Sequence, residues 1–206
     1  MANITAKEEI FNFVYDMAFR DATMRNAFPK GKQSDANYKR IKMEIYKKSK
    51  SIIKAYIDDI LDDKKMPDVY EYLEKINKSC DNKRFSFGNA QKLLNMTAKY
   101  MYISCYANEL IREKFKECHC PMDSYMIKHV YKMIKDKSNI DKYKPYEKSK
   151  GISEWDSIAW SKIKWGVLDG KEGICVYKRF QEIIKELAGE DCYPIEYDFI
   201  NWKEIS

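Results

Sequence analysis

The chain has 206 residues, of which 45% are apolar and 14% are aromatic, so it has enough hydrophobic surface for a folded core. Seven glycines and five prolines are too few for the many tight turns of a β-sandwich or β-barrel, which disfavours an all-β fold. The net charge of +6 favours acidic partners, either nucleic acid or an acidic protein.

The first residues of the chain do not resemble a secretion signal. Glu8, Glu9 and Asp16 interrupt what would be its apolar region, and no small-residue cleavage site follows. No stretch reaches the roughly 18 uncharged apolar residues that a membrane span needs. We therefore expect a cytoplasmic protein that makes no membrane contact and keeps its six cysteines reduced.

Helical periodicity predicts three helices in the first third of the chain. A capping box that starts at Thr5 begins an amphipathic helix running to about residue 24. A second helix is predicted over about 35–63 and a third over about 67–77. Pro67 suits the first turn of the third helix, where its missing N–H is not needed.

The most unusual segment is a long central helix predicted over about 86–115 and capped by Ser86. It is apolar almost all round, except where Gln91, Asn95 and Lys99 follow one another at four-residue spacing. A helix that is apolar on all sides is usually buried, and buried polar groups are costly unless they are paired. The stripe therefore forms either a hydrogen-bonded structural network or the wall of a polar site.

The C-terminal half is predicted to contain three further helices, over about 123–135, 153–164 and 172–188. Residues 136–151 are highly charged and show no periodicity, which predicts an internal loop or linker. The tail, residues 193–202, alternates enough to be extended. We thus expect an all-α fold, a compact bundle of about six or seven helices around the central helix, forming a single domain over 1–206.

The basic excess of the chain is concentrated in residues 30–54, which carry a net charge of +7. On a helical wheel, five cations of this segment share a sector of about 100° opposite an apolar stripe. This basic face consists of Lys39, Arg40, Lys47, Lys50 and Lys54. Acidic residues follow at the C-terminal end of the helix, an order that the macrodipole disfavours. Binding of a polyanion would explain the order, whereas a solvated helix face is the simpler alternative.

The segment Cys118-His119-Cys120-Pro121-Met122-Asp123 is rich in chemically reactive groups. Zinc binding is one interpretation, but no C-x₂-C pair occurs, and we expect no metal or other cofactor. In a second interpretation His119 is a general acid or base oriented by a carboxylate such as Asp123. The candidate polar site then comprises Gln91, Asn95, Lys99 and Asp123. In a third, the segment is an inter-helix corner with core cysteines, and Asp123 is an N-cap.

Arg112 and His119 enclose six residues in the sequence REKFKECH. This spacing resembles the R-x4-6-H signature of HEPN ribonucleases, a family of small all-helical domains that often dimerise. The resemblance covers these eight residues and the helical fold class, and Glu113 departs from the polar residue that commonly follows the arginine in that family. It implies metal-independent RNA cleavage at a dimer cleft, with Arg112 and His119 acting together as the catalytic pair.

Three hypotheses for the function follow. The first is nucleic-acid binding, in which the basic face binds phosphates. The second is a protein–protein interaction module, an adaptor or inhibitor, that binds an acidic protein through the same face and anchors it with the tryptophan-rich residues 153–165. The third is the metal-independent ribonuclease. The sequence motifs of P-loops, dinucleotide-binding folds, α/β-hydrolases and zinc proteases are all missing.

Overall fold

The computed structural model describes residues 6–23, 36–62, 66–80, 85–166, 172–190 and 192–201. The predicted cap at Thr5, the cations at positions 30 and 32 and the last residue of the predicted tail lie outside these ranges. All regular structure within them is helical, which confirms the predicted all-α bundle. None of the helices in these ranges is long and apolar enough to cross a membrane.

The described ranges contain nine α-helices and two short 3₁₀ helices, Ile140–Tyr143 and Trp160–Lys162. The α-helices are α1 (Ala6–Thr23), α2 (Ala36–Leu61), α3 (Val69–Ser79), α4 (Phe87–Ser104), α5 (Glu109–Glu113), α6 (Ser124–Ile134), α7 (Glu154–Ser157), α8 (Gly173–Ala188) and α9 (Pro194–Asn201).

Helix α4 lies at the centre of the bundle, as its sequence predicts. Of its 18 residues 14 are buried, and it packs against α1, α2, α3 and α8. Ser86 caps it, because the Ser86 hydroxyl accepts a hydrogen bond from the Asn89 backbone N–H at 3.1 Å. The Asn89 side chain donates to the carbonyl of Ala22 at 2.6 Å and so joins the start of α4 to the end of α1.

Helix α4 ends at Ser104, well before the predicted end near residue 115. A turn follows, and the side chain of Asn108 then accepts a hydrogen bond from the Ile111 N–H at 3.3 Å to begin α5. Asparagine favours such N-caps because its side chain competes with the helix for backbone hydrogen bonds. The apolar pattern continues across the break and therefore concealed it.

The C-terminal segment is helical, so the prediction of an extended tail was wrong. Helix α9 begins with Pro194, and Glu196 accepts a hydrogen bond from the Tyr193 N–H at 3.1 Å, as in one half of a capping box. Ile195 and Asp198 are both buried at the helical spacing of three residues. The 8 residues of α9 contain too few periods to separate alternation from helical spacing.

The charged segment 136–151 is a loop that packs against the bundle. Tyr143, in its 3₁₀ helix, is buried, and its carbonyl accepts a hydrogen bond from the Trp155 indole at 2.7 Å. Lys142 forms an ion pair with Glu186 of α8 at 2.6 Å. These contacts attach the loop to both α7 and α8.

The single helix predicted over 153–164 is split into α7 and the 3₁₀ helix Trp160–Lys162. Trp155 and Trp160 are both buried. On one continuous helix they would point about 140° apart, so the break lets both rings reach the interior. They belong to the core and do not form the exposed anchors that the protein-binding hypothesis assigned to this region.

Candidate functional site

The polar stripe of α4 begins as a hydrogen-bonded structural network. The Gln91 Nε2 donates to the Met122 carbonyl at 2.6 Å, and its Oε1 accepts from the Met122 N–H at 3.1 Å. The Asn95 amide donates to the same Gln91 oxygen at 3.3 Å. Gln91 thus holds the 118–123 segment against α4, which supports the structural interpretation of this residue.

Lys99 is buried, with 3% exposure, and its ammonium forms an ion pair with Asp198 of α9 at 2.7 Å. Burial raises the pKa of the Asp198 carboxyl above its ordinary value, and the charge of Lys99 opposes this shift. The pair connects the middle of α4 to the C-terminal helix. In this structure, Lys99 binds a carboxylate of its own chain.

Asp123 is the N-cap of α6. Its Oδ1 accepts hydrogen bonds from the N–H groups of Tyr125 and Met126 at 3.0 and 3.1 Å, and its Oδ2 pairs with Lys92 at 3.0 Å. The hydrogen-bond partner of His119 is Tyr177 instead. The structure therefore supports the N-cap interpretation of Asp123 and does not show it orienting His119.

The two cysteines beside His119 are buried core residues. Burial raises the pKa of the Cys118 thiol to about 12, and it raises the pKa of Cys120 well above its ordinary value. Gln181 of α8 hydrogen-bonds both sides of the Cys120 backbone, donating to the carbonyl at 2.7 Å and accepting from the N–H at 3.1 Å. Across the described ranges, no group of three or more His, Cys, Asp or Glu side chains is arranged to hold a metal ion.

A cleft of about 400 Å³ opens beside this segment, between α3, α8 and the start of α9. Its volume lies in the lower part of the ~300–1,000 Å³ range of small-molecule sites. The ring of Tyr70 lines the cleft and meets the rings of His119 and Tyr177 edge-on, with centroids 5.8 and 6.1 Å away. The other lining residues include Tyr193, Lys116, Lys178 and Lys185.

A chain of hydrogen bonds leads from α4 to the wall of this cleft. Asn95 Nδ2 donates to Tyr177 Oη at 2.8 Å, and the same oxygen lies 2.8 Å from Nδ1 of His119. Asn95 approaches the tyrosine oxygen as a donor, so among the described residues Nδ1 of His119 is the one acceptor for the proton of the buried Tyr177 hydroxyl, and we assign the bond in that direction. Nδ1 is then the acceptor, and the neutral ring carries its proton on Nε2, which has no partner among the described residues.

Burial lowers the pKa of His119 to about 4, since the charged imidazolium would lose its hydration, and the carboxylate of Asp68 opposes this shift. The imidazole is therefore neutral near pH 7. It accepts a hydrogen bond from Tyr177 and keeps one N–H donor, on Nε2, for a ligand. A general acid or base works best with a pKa near the working pH, so this state suits binding better than proton transfer.

Arg112 and His119 contact different neighbours in the described chain. The Arg112 guanidinium lies 4.9 Å from the centre of the Tyr106 ring and 4.0 Å from Glu109. His119 lines the cleft, and Arg112 is not among its lining residues. The structure thus does not bring the two side chains of the ribonuclease hypothesis together within one chain.

The basic face of α2 divides into an outward part, whose cations are exposed, and a part whose cations are partly covered and paired within the chain. Lys39, Arg40 and Lys47 are exposed. The ammonium of Lys50 donates to the hydroxyl of Tyr46 at 3.0 Å, and Lys54 forms an ion pair with Asp58 at 2.6 Å. Lys50 and Lys54 therefore already have partners in the folded chain.

Three residues that build the site were not predicted from the sequence. Tyr177 falls in the apolar stripe of α8, so periodicity assigns it to the core, and Tyr70 lies on a short helix without an unusual pattern. Gln181 offered a usable signal, because it is a polar residue at a buried position of α8, like Gln91 in α4.

No protein-family model, curated protein or solved structure matches this chain.

Proposed function

We propose that this protein binds nucleic acid through the outward part of its basic face, Lys39, Arg40 and Lys47 of α2. One observation carries the proposal: these exposed cations share one side of the helix, and Lys39 and Lys47 form no ion pair among the described residues. Arg40 lies 4.0 Å from Glu44, at the limit of an ion pair. Cations that are exposed and have no close carboxylate partner remain available to bind phosphate groups.

The position of these cations does not stabilise α2 itself. The N-terminal end of a helix carries a partial positive charge, so cations in and beside the first turn of α2, such as Lys39 and Arg40, are mildly unfavourable there. The first turn of α2 contains no acidic residue that would compensate them. A polyanion along this side would supply the missing negative charge, and release of its counterions would favour binding.

The test is the salt dependence of binding to labelled single-stranded RNA, single-stranded DNA and duplex DNA, measured by fluorescence anisotropy. Three phosphate contacts predict that the logarithm of the association constant falls with the logarithm of salt concentration with a slope of about −2 to −3. The triple variant Lys39→Ala/Arg40→Ala/Lys47→Ala should weaken binding by about tenfold or more at low salt and remove most of this slope.

The matched control is Lys128→Ala/Lys132→Ala/Lys135→Ala, which removes the same charge from exposed positions in and just after α6. It should retain most of the affinity and most of the slope. Equal weakening by the two triple variants would mean that only net charge matters, and it would overturn the proposal. So would the absence of binding to all three nucleic acids at low salt.

The ribonuclease hypothesis for Arg112 and His119 stays a prediction, and the same RNA tests it. Cleavage that survives a chelator and disappears in His119→Asn would support the hypothesis. RNA that is bound but left intact by the unchanged protein would contradict it.

A further inference from the structure

The cleft beside His119 is built from helices other than α2, and its chemistry differs from that of the basic face. We propose that this cleft binds a nucleoside monophosphate group, that is, an aromatic base joined through a sugar to one phosphate. The proposal does not depend on nucleic-acid binding by α2, because no residue of α2 lines the cleft.

The first argument is the aromatic surface of the cleft. Tyr70 is only half-buried, and Tyr193, at the start of α9, also lines the cleft. Contacts with His119 and Tyr177 hold the Tyr70 ring in place from within. A fixed tyrosine ring at a cleft is a stacking surface for any nucleobase, since every base has an aromatic face.

The second argument is the hydrogen-bond donor on His119. Its Nδ1 is occupied by Tyr177, so the ring cannot turn over without losing that bond. The Nε2–H remains for an acceptor on the ligand, and base edges carry such acceptors as ring nitrogens and carbonyl oxygens. Because Nδ1 accepts from Tyr177, the neutral ring that prevails near pH 7 carries its proton on Nε2, so this donor is present there.

The third argument is the charge around the cleft. Lys116, Lys178 and Lys185 are exposed and have no carboxylate partner in the described part of the chain. The ammonium of Lys178 lies over the Tyr70 ring, 4.7 Å from its centre, so a base that stacks on this face displaces the ammonium toward the rim. A phosphate at this rim would therefore meet several cations.

The acidic residues of the rim narrow the choice of ligand. Glu117, Glu182 and Glu190 also line the cleft, and Glu182 is paired with Arg179 at 2.7 Å. Carboxylates repel a ligand made only of phosphates, but they accept hydrogen bonds from sugar hydroxyls and from the amino groups of bases. A ligand with one phosphate, a sugar with hydroxyl groups and an aromatic base fits a rim that carries both lysines and glutamates.

The test is titration of the intact chain with each of the four nucleoside monophosphates, with binding measured by isothermal titration calorimetry. We expect saturable binding whose Kd rises by about tenfold or more in each of three variants. His119→Asn keeps an oxygen that accepts from Tyr177 but removes the Nε2 donor, and Tyr70→Leu keeps the bulk but removes the ring. Lys178→Met changes an exposed side chain and leaves the buried network intact.

The control Lys132→Met removes an exposed lysine of α6 and should bind as the unchanged protein does. Adenosine and inorganic phosphate, titrated separately, should each bind more weakly than adenosine monophosphate. Adenosine has the base and the sugar but no phosphate, and inorganic phosphate has neither base nor sugar. Circular dichroism of every variant establishes that the helical fold is retained.

Two further arms identify the source of the nucleotide and separate the two proposals. Displacement of adenosine monophosphate by a 5′-phosphorylated oligonucleotide would identify a strand end as the ligand, whereas failure to displace would identify the free nucleotide. The triple variant of the basic face should bind nucleotides unchanged. A lack of saturable binding by the unchanged protein would overturn the proposal. So would a Kd in the three cleft variants that equals the Kd of the unchanged protein.

Discussion

Lys99 and Asp198 show how strongly one pair of residues can affect the stability of this fold. Both side chains are buried, and the ammonium and carboxylate are 2.7 Å apart. Asp198→Asn removes the charge that compensates Lys99, and we expect the free energy of unfolding to fall by about 3–5 kcal/mol. The double variant Lys99→Met/Asp198→Leu should recover most of this loss, because apolar pairs replace buried ion pairs well. Urea denaturation measures both, and an equal loss in the single and double variants would contradict the argument.

His119 predicts a pH dependence of stability. Its pKa is about 4 in the folded chain and near 6.5 when the chain is unfolded. As the pH falls from 6.5 to 4, the unfolded state takes up a proton that the folded state does not, so stability falls over this range. We expect this group to contribute a loss of about 3 kcal/mol.

The comparison that isolates this effect is the difference between the unfolding free energies of the unchanged protein and of His119→Asn across the same pH range. The difference should change in the variant's favour as the pH falls and then level off below pH 4. Two parallel curves would show that the folded-state pKa of His119 is not lowered.

At the scale of elements, the contact of α4 with the 3₁₀ helix Trp160–Lys162 depends on one glycine. A Cβ atom on Gly88 would lie 1.6 Å from the Trp160 carbonyl oxygen, so the two backbones approach closely only because the side chain is absent. We expect Gly88→Ala to destabilise the fold by about 1–3 kcal/mol or more, because backbone has to move.

Gly166→Ala is the matched control for that substitution, since no atom of the described residues other than its chain neighbours lies within 4 Å of a Cβ placed there. It should leave the thermal midpoint nearly unchanged. A similar small effect of both substitutions would mean that the packing of the 160–162 segment on α4 is loose.

Element boundaries show where local sequence is informative. Ser86 was identified as the cap of α4 because a cap depends on residues within one turn, and the side-chain contacts confirm it. The break after Ser104 was missed because apolar periodicity alone carries no information on where a helix turns back. The helical tail was missed because a short segment fits both the two-residue period of a strand and the 3.6-residue period of a helix. The split of 153–164 depends on where two tryptophans are buried, which is a property of the assembled bundle.

For the whole molecule, the prediction of a single domain can be tested with its own cysteines. Cys80 is buried at the end of α3 and Cys118 and Cys120 are buried in the segment before α6, whereas Cys175 is exposed. Iodoacetamide should modify Cys175 first in the native protein, although its hydrogen bond to Glu172 raises its pKa and slows the reaction.

The three buried thiols should become reactive together, at one denaturant concentration, as expected for cooperative unfolding. Mass spectrometry after labelling across a urea series resolves the individual cysteines. Reaction of Cys80 at clearly lower urea than Cys118 and Cys120 would show that the region around α3 opens separately.

The sequence by itself determined the helical class, the central position of α4 and the existence of a basic face, because periodicity and charge are local properties. Only the tertiary structure decided what the polar residues do. Lys99 finds its partner 99 positions later, and His119 finds Tyr177 58 positions later. Nothing in the local pattern names such partners, since they follow from how the helices pack. The same packing places Tyr70 beside His119, and the cleft that results has no counterpart in any one segment of the chain.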